Sequence, residues 1–403
     1  MYDQIRGDTL YIMLYGGVTM MALIASCYLL FRRCNAIAPE ITSPARLRRW
    51  TGLFFASIAM NHAWYMPIFF QTSNDDIKLT DLVGGLLDYM TFFPLAIIVL
   101  LVMLQDRRRP LWPVAVMMAP VVAGGVFYVA TCSYASQAMA CAYFLLMCIG
   151  LVIYMVREVR QYGHWLRDNY ADLEHKEVWQ SFVVLAIILL VFVVYAFVSE
   201  GPAYQYAMQV ILAILICYLL WRVETLSDLS ISQPPFTAEE ETPTIENMED
   251  NDLSLSMRIN VGPLLKVQCE EPQLYLQHDI TLFKLAREIG INRLYLTQYF
   301  SSLGMNYNAY INDLRINHFI NLYHEVVAAQ FPFSAQQLAL KSGFCNYRTF
   351  SNAFKRKMGQ PLSSWMKAAS EREQSLRNSN CLESVEREQS RPEGKGQERP
   401  KVE

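Results

Sequence analysis

The first 221 residues contain seven apolar stretches, each long enough to form a helix that crosses a lipid bilayer. A bilayer core about 30 Å thick requires about 20 residues of α-helix. Inside lipid every backbone polar group must be satisfied within the segment, which a helix achieves. The pattern therefore restricts the first half of the chain to a helical bundle, with spans near residues 9–31, 50–70, 82–104, 111–130, 135–156, 178–198 and 203–221.

The basic residues between these stretches predict an orientation. Cytoplasmic loops of membrane proteins are enriched in Lys and Arg. One set of alternate loops contains twelve of them, whereas the other set, which includes the N-terminal tail, contains only Arg6 and Lys78. The first stretch is too long for a signal peptide and has no basic leader, so we expect it to be retained. Seven crossings then place the N-terminus outside and the C-terminal half in the cytoplasm, which predicts a multi-pass protein of a bacterial inner membrane.

Two polar residues inside the predicted spans are candidates for sensing a signal. His62 and Asp88 each lie roughly 10 Å below the outer surface, by the helical rise per residue, so the two side chains could pair. An ionisable group at this depth is costly to bury and is a candidate functional site. Two readings stay open. Either Asp88 is hydrated and His62 binds a neighbouring helix, or the two residues form an outward-facing pocket or a proton-sensitive pair.

Catalysis and metal binding have no support in the sequence. The nine cysteines contain no C-x-x-C pair, and most lie in or beside apolar helices, where cysteine serves as a small apolar residue. The chain contains no phosphate-binding glycine loop and no G-x-S-x-G motif. We therefore expect a protein that is not an enzyme and that uses neither a metal nor another cofactor.

Charge divides the remainder of the chain into three parts. Residues 223–257 contain nine acids and no Lys or Arg, which is typical of a flexible linker. From Arg258 to Lys367 there are twelve basic residues against six acids, an excess that suits a polyanionic partner. After that, EREQS occurs at 371–375 and again at 386–390 in a polar tail. The predicted division is a bundle at 1–222, a linker at 223–257, a basic domain at 258–369 and a disordered tail at 370–403.

The basic domain contains two copies of one local pattern. Each copy has an apolar helix with a small residue, a glycine that can end that helix, an asparagine that can cap the next one, and two buried residues four apart. The copies predict two helix-turn-helix units, and residues 307–329 predict a long helix between them. The residues are Leu285, Ala286, Gly290, Asn292, Leu296 and Phe300 in the first copy, and Leu338, Ala339, Gly343, Asn346, Phe350 and Phe354 in the second.

The stretch 280–367 resembles the DNA-binding domain of the AraC/XylS family. The resemblance is carried by SGF at 342–344, F-x3-F-K at 350–355 and G-x-P at 359–361. The first half does not resemble the cupin-like sensor of the best-known members, and is similar instead to the membrane-integrated branch of AraC-type regulators. The resemblance implies two recognition helices that enter successive major-groove segments about 34 Å apart.

The resemblance also implies which residues face DNA. Arg348, Gln298 and Asn352 are the expected base readers, because Arg pairs with guanine, and Gln or Asn with adenine. Three basic residues at the end of the second recognition helix, Lys355, Arg356 and Lys357, are expected to bind phosphates. Ser301 replaces a basic residue usual at this position of the first copy. The predicted exposed faces consist of Arg293, Leu294, Thr297 and Gln298 in the first helix, and Tyr347, Arg348, Ser351 and Asn352 in the second.

Together these features predict an all-α protein, a seven-helix transmembrane bundle followed by two helix-turn-helix units joined by a long helix. The expected function is a membrane-embedded one-component transcription regulator, with promoter DNA and the lipid bilayer as partners. The rival is a transporter-like or receptor-like membrane protein whose DNA-binding tail reports substrate occupancy. A membrane ligand, a membrane protein partner and a homodimer all stay open.

Overall fold

A computed structural model of the chain describes residues 8–32, 34–131, 134–198, 202–229, 261–372 and 375. Within these ranges the regular elements are helices, and the one β feature is an isolated antiparallel bridge between Tyr170 and Thr281. The predicted all-α class is confirmed. Most of the predicted linker, from residue 230, and most of the predicted tail lie outside the described residues.

Over its described residues the first half forms eight α-helices and a short 3-10 helix (Met66–Phe69), and each of the seven predicted apolar stretches coincides with at least one α-helix. The third stretch contains two helices separated at Thr91, because Pro94 has no N–H to bond the carbonyl of Met90. The helices are α1 (Thr9–Phe31), α2 (Ala45–Tyr65), α3 (Asn74–Met90), α4 (Phe92–Met103), α5 (Trp112–Thr131), α6 (Tyr134–Asn169), α7 (Trp179–Val198) and α8 (Pro202–Thr225).

Four segments are long and apolar enough to cross a membrane by their length and composition. They are Thr9–Phe31, Asn74–Met103, Ala142–Asn169 and Ala203–Thr225. Two further apolar helices are shorter over the residues described. The helix α2 begins with Arg46, Arg48 and Arg49, which lowers its mean hydropathy. The predicted helices are therefore present, but the predicted number of seven crossings is not confirmed.

The eight helices share one apolar core, in which α1 packs against α2 and α8, and α5 packs against α6. The last helix of this bundle continues past the predicted boundary at residue 222. Glu224 is fully buried and accepts hydrogen bonds from the backbone N–H groups of Ala36 and Ile37. Leu226 and Leu229 are also buried in the bundle core. Residues 223–229, assigned to the acidic linker from their charge, thus pack with the bundle.

The second half contains two small helical units that share one long helix. Their helices are α9 (Val261–Leu265), α10 (Leu282–Ile289), α11 (Arg293–Ser302), α12 (Tyr307–Ala328), α13 (Ala335–Lys341), α14 (Tyr347–Met358) and α15 at residues 362–372. The start of α12 contributes Tyr307 and Ile311 to the core of the first unit. Further along, Ile316 and Phe319 belong to the core of the second. The predicted connecting helix is present.

Arg315 on α12 joins the two units. Its side chain is 1% exposed, and its Nε donates to the carbonyl of Tyr275 at 2.7 Å while Nη2 donates to that of Gln277 at 2.8 Å. The guanidinium also lies 5.6 Å from the ring centroid of Phe344, in the second unit. Burial lowers the pKa of Arg315 below its usual value. These contacts hold the segment before α10 against the turn of the second unit.

Gly343 allows this close approach, and a pair of glycine substitutions tests it. Gly343 has φ +87°, and a Cβ there would lie 2.8 Å from the Cα of Leu276. We predict that Gly343→Ala destabilises the second unit by about 3 kcal/mol, since backbone strain and a backbone clash add.

The control is Gly359→Ala, where φ is +71° but no atom lies within 4 Å of the new Cβ. That change should cost only about 1 kcal/mol, the penalty of the left-handed conformation. Hydrogen exchange of the α13 and α14 amides in the full chain measures both effects. Equal protection in the two variants would contradict the predicted clash.

Candidate nucleic-acid interface

Both predicted helix-turn-helix units are formed, and their turns use the residues expected. In the first unit Gly290 is left-handed at φ 73°, and the Asn292 side chain accepts a hydrogen bond from the N–H of Leu294 at 2.9 Å. In the second unit the Asn346 side chain accepts from the N–H of Thr349 at 2.8 Å. These caps fix where α11 and α14 begin, because a side-chain oxygen replaces the missing backbone partner of the first turn.

The predicted reader residues lie on the outer faces of α11 and α14. Each helix buries its opposite face through two residues, Leu296 and Phe300 in α11, and Phe350 and Phe354 in α14. Thr297 and Ser351 are half-buried, and the other six readers are exposed, namely Arg293, Leu294, Gln298, Tyr347, Arg348 and Asn352. The side chains that could contact base edges are therefore accessible in both units.

The three basic residues in the last turn of α14 have different surroundings. Lys355 and Arg356 are exposed. Lys357 instead donates to the carbonyl of Asp313 at 2.9 Å and to Oδ1 of Asn317 at 3.0 Å, both on α12. Burial lowers the pKa of Lys357, and the charge of Asp313 opposes that shift. Lys357 thus holds α14 against α12, and the exposed Arg356 also reaches α12, where its Nη2 donates to Oδ1 of Asn308 at 3.5 Å.

The loop between α6 and α7 contacts the first helix-turn-helix unit. Ala171 is 1% exposed and belongs to the apolar core of that unit. The Asn308 side-chain amide, at the start of α12, donates to the carbonyls of Ala171 at 2.6 Å and Tyr170 at 3.3 Å. Tyr170 also forms the bridge with Thr281. Sequence reasoning missed this contact, because the loop carries no local pattern that marks a docking site.

The same loop also contacts the end of the bundle's last helix. The His175 ring donates from Nδ1 to the carbonyl of Thr225 at 3.1 Å, and the N–H of Ser227 donates to the carbonyl of His175 at 2.8 Å. Arg222 donates to the carbonyl of Glu177. Residues 170–177, the docking loop, therefore touch the helix-turn-helix domain at one end and α8 at the other.

An acidic residue of the docking loop lies beside the second recognition helix. The Asp172 carboxylate lies close enough to the thiol of Cys345 to affect its pKa, and Cys345 directly precedes the cap residue Asn346. Cys345 is exposed as a whole residue. Neighbouring atoms nevertheless shield its thiol, and this burial together with the nearby Asp172 carboxylate raises the pKa of Cys345 to about 12. The docking loop thus places a carboxylate near the positive end of the α14 dipole.

The candidate sensing residues His62 and Asp88 have different partners and do not bond each other. His62 is buried, with Nδ1 2.8 Å from the carbonyl of Ile58 and Nε2 2.9 Å from Oε1 of Gln209. Asp88 accepts from Asn61 at 2.6 Å and from the Tyr65 hydroxyl at 3.1 Å. Asp88 lines a cavity of about 340 Å³ between α1, α2, α3 and α8. His62 is not among the residues that line it.

Comparison with known proteins supports the assignment of the helix-turn-helix domain and gives no information about the helical bundle. A family model described as a helix-turn-helix domain matches residues 285–368, which supports an AraC-type domain in this segment. This class of domain belongs to DNA-binding transcription regulators and not to an enzyme family. The remainder of the chain lies outside the match. No curated protein and no solved structure matches the chain.

A substitution in the docking loop tests whether the contact with the domain forms. Ala171→Gln places a larger polar side chain in the core of the first unit, where it has no room. We predict faster hydrogen exchange of the backbone amides near Thr281 and Asn308 in the full chain, by about tenfold, since opening the contact exposes them.

The matched control is His164→Gln, an exposed position on α6. It introduces the same side chain without entering the contact, so exchange should be unchanged. Identical exchange in the Ala171 variant and the wild type would show that the docking loop does not protect the domain.

Proposed function

We propose that the chain is a membrane-embedded one-component transcription regulator, in which a signal sensed by the helical bundle controls sequence-specific DNA binding. The observation that carries this proposal is the docking loop, which contacts both α8 and the helix-turn-helix domain. A bundle and a DNA-binding domain that were only tethered by a linker would need no such contact. The loop gives the two halves a physical means to influence each other.

The outer surface of the bundle supports membrane embedding. Large apolar side chains of α1 and α6 are directed away from the core, with Met13 70% exposed, Leu146 68% and Ile153 66%. Apolar side chains are also exposed along α5, α7 and α8. Contiguous apolar surface of this extent is rare on a soluble monomer, because water would have to cover it. Lipid would cover it without that cost, so we assign α1 to α8 to seven crossings, with α3 and α4 together as one.

The position of the docked domain supports the predicted orientation. It contacts the bundle through the docking loop, which belongs to the Arg-rich set of loops. At this same end Arg109 pairs with Asp106 at 2.7 Å and with Glu158 at 2.6 Å. We therefore place the N-terminus outside and the domain in the cytoplasm of a bacterial cell. In this arrangement the bundle ends near Leu229, the acidic linker runs to residue 257, the DNA-binding domain covers 258–369 and the charged tail covers 370–403.

For DNA recognition we propose distinct roles along the two outer faces. Arg348, Gln298 and Asn352 read base edges, because their side chains are exposed and carry paired hydrogen-bonding groups. Lys355 and Arg356 bind phosphates and set the position of α14 on the duplex. Lys357 acts through its contacts with α12. The remaining face residues flank the base readers and contribute sugar, phosphate or thymine-methyl contacts, namely Arg293, Leu294, Thr297, Tyr347 and Ser351.

The proposed coupling between the bundle and the DNA-binding domain follows from the contacts of the docking loop. The start of α8 lines the cavity through Gln205 and Gln209, and its end bonds the docking loop at Thr225. A change in the position of α8 would therefore move the docking loop. While docked, Asp172 lies near the N-terminus of α14 and repels a DNA phosphate there. We propose that release of the docking loop raises DNA affinity, so that the docked and released forms are the two states of the switch.

Two substitutions on α14 test the DNA-binding roles in the full chain. Arg348→Ala should weaken binding to the protein's own promoter site by about 1–3 kcal/mol and leave binding to unrelated duplex nearly unchanged, since it removes a base contact. Lys355→Ala should weaken binding to both duplexes and reduce the salt slope by about 1, since it removes a phosphate contact.

The promoter site for this measurement comes from mapping the DNA that the protein binds in cells. Lys266→Ala serves as the control, because Lys266 is exposed but lies before the first helix-turn-helix unit. It should leave both affinities unchanged. A wild-type chain that shows no preference among duplexes, or a reporter fused to residue 403 that is active only outside the cytoplasmic membrane, would overturn the proposed function.

A further inference from the structure

The cavity at the outer end of the bundle has the size of a small-molecule site. Its volume is about 340 Å³, near the lower end of the range of ligand pockets, about 300–1,000 Å³. It lies among the first turns of α1 and α8, the end of α2 and the helix α3. A cavity of this size accommodates a small molecule.

Aromatic rings form a continuous wall of this cavity. The ring centroids of Tyr11 and Tyr15 are 6.0 Å apart, and Phe69 lies 6.1 Å from Tyr11 and 5.2 Å from Tyr15. Tyr65 and Tyr204 line other parts of the same space. The face of an aromatic ring carries partial negative charge, so a box of several rings attracts a positively charged group.

The charged side chains that line the cavity are negative, like the faces of the aromatic rings. The Asp88 carboxylate accepts hydrogen bonds from Asn61 and Tyr65, which are neutral donors. A second acid, Asp81, also lines the cavity, and the lining residues that the structure describes include no Lys or Arg. A carboxylate that is partly removed from water is costly unless a positive charge lies close to it. A neutral ligand would leave that cost in place, whereas a cation would remove it.

Gly84 leaves room for the ring of Tyr65, which bonds the Asp88 carboxylate. A Cβ at this position would lie 2.6 Å from the Tyr65 ring, which is closer than any real contact. The missing side chain at residue 84 leaves the space that the Tyr65 ring occupies, and from there its hydroxyl reaches Asp88. The Tyr65 hydroxyl and the Asp88 carboxylate are thus bonded before any ligand enters, which lowers the entropy lost on binding.

We propose that this cavity binds a small organic cation, an amine or a quaternary ammonium compound, with Asp88 as its counter-ion and the tyrosine rings around its charged group. This inference deepens the proposed function, on which its regulatory meaning rests, by naming the chemical class of the signal. The helix α8 lines the cavity through Gln205 and Gln209, and its last residue, Thr225, bonds the docking loop. A ligand in the cavity would therefore contact the same helix that bonds the docking loop.

The first test compares ligands on the wild-type full chain in lipid nanodiscs without DNA. Choline, phenylethylammonium and putrescine are titrated by calorimetry, together with glucose and the neutral carbon isostere of choline, in which carbon replaces the nitrogen. At least one cation should bind, and where choline binds, the isostere should bind at least about tenfold more weakly, because only the charge differs. Tighter binding of the isostere or of glucose, or no binding by any of the three cations, overturns the proposal.

The second test changes the counter-ion. Asp88→Asn should weaken binding of the cation found above by about tenfold or more, while affinity for the neutral isostere stays unchanged. Asp75→Asn is the matched control, since this acid lies on the same helix but is 94% exposed and is not part of the lining. Unchanged cation affinity in the Asp88 variant overturns the assignment of the counter-ion. If the variant does not fold, the isostere comparison on the wild type still decides.

These measurements test ligand binding by the cavity separately from control of DNA binding by the bundle. Cation binding is scored without DNA, and promoter occupancy is scored separately in cells with and without the cation that binds. Binding without any change in occupancy would support the site and contradict signal control by the bundle. Absence of binding would remove this inference and leave the DNA-binding role to be judged by the Arg348 and Lys355 variants.

Discussion

The contact of Ala171 with the first helix-turn-helix unit is the interaction on which the relation between the two halves depends. It buries one methyl group and is accompanied by two hydrogen bonds from Asn308. Such a contact contributes only about 2–4 kcal/mol. That range overlaps the coupling free energy between two sites of an allosteric protein, typically about 1–3 kcal/mol. A contact much stronger than this would lock the domain, and a much weaker one would leave it independent of the bundle.

Within the DNA-binding domain, by contrast, the contacts between the two units need to be strong. The two recognition helices must keep a fixed separation if both are to enter the same duplex. The buried Arg315 bonds two carbonyls before α10 and lies over Phe344 beyond α13, so the units are joined through atoms that water cannot reach. Lys357 adds a second connection between α14 and α12. These contacts join the two units within the domain, and in the proposed switch the adjustable contact lies outside it, at the docking loop.

Sequence reasoning was most reliable where a local pattern has one physical explanation. The glycine and asparagine of each turn, and the buried residues such as Leu296 and Phe354, are where their spacing predicts them, since these features depend only on helix geometry. It was less reliable wherever charge was taken as a sign of exposure. Glu224 and Lys357 are charged, yet Glu224 is fully buried and Lys357 is half-buried, because partners distant in sequence satisfy them. The pairing of His62 with Asp88 did not appear for a related reason, since depth along two helices does not fix their rotation.

The sequence by itself determined the helical class, the positions of the apolar helices, the two helix-turn-helix units and the faces that they expose. All of these follow from periodicity and capping within about 20 neighbouring residues. Only the tertiary structure decided that the loop after α6 enters the core of the first unit, that the aromatic cavity forms around Asp88, and that α8 connects the two. Each of these brings together residues distant in the sequence, such as Tyr170 with Asn308, Tyr11 with Gln205, and His175 with Thr225. Their meeting depends on how whole helices pack, which no local pattern encodes.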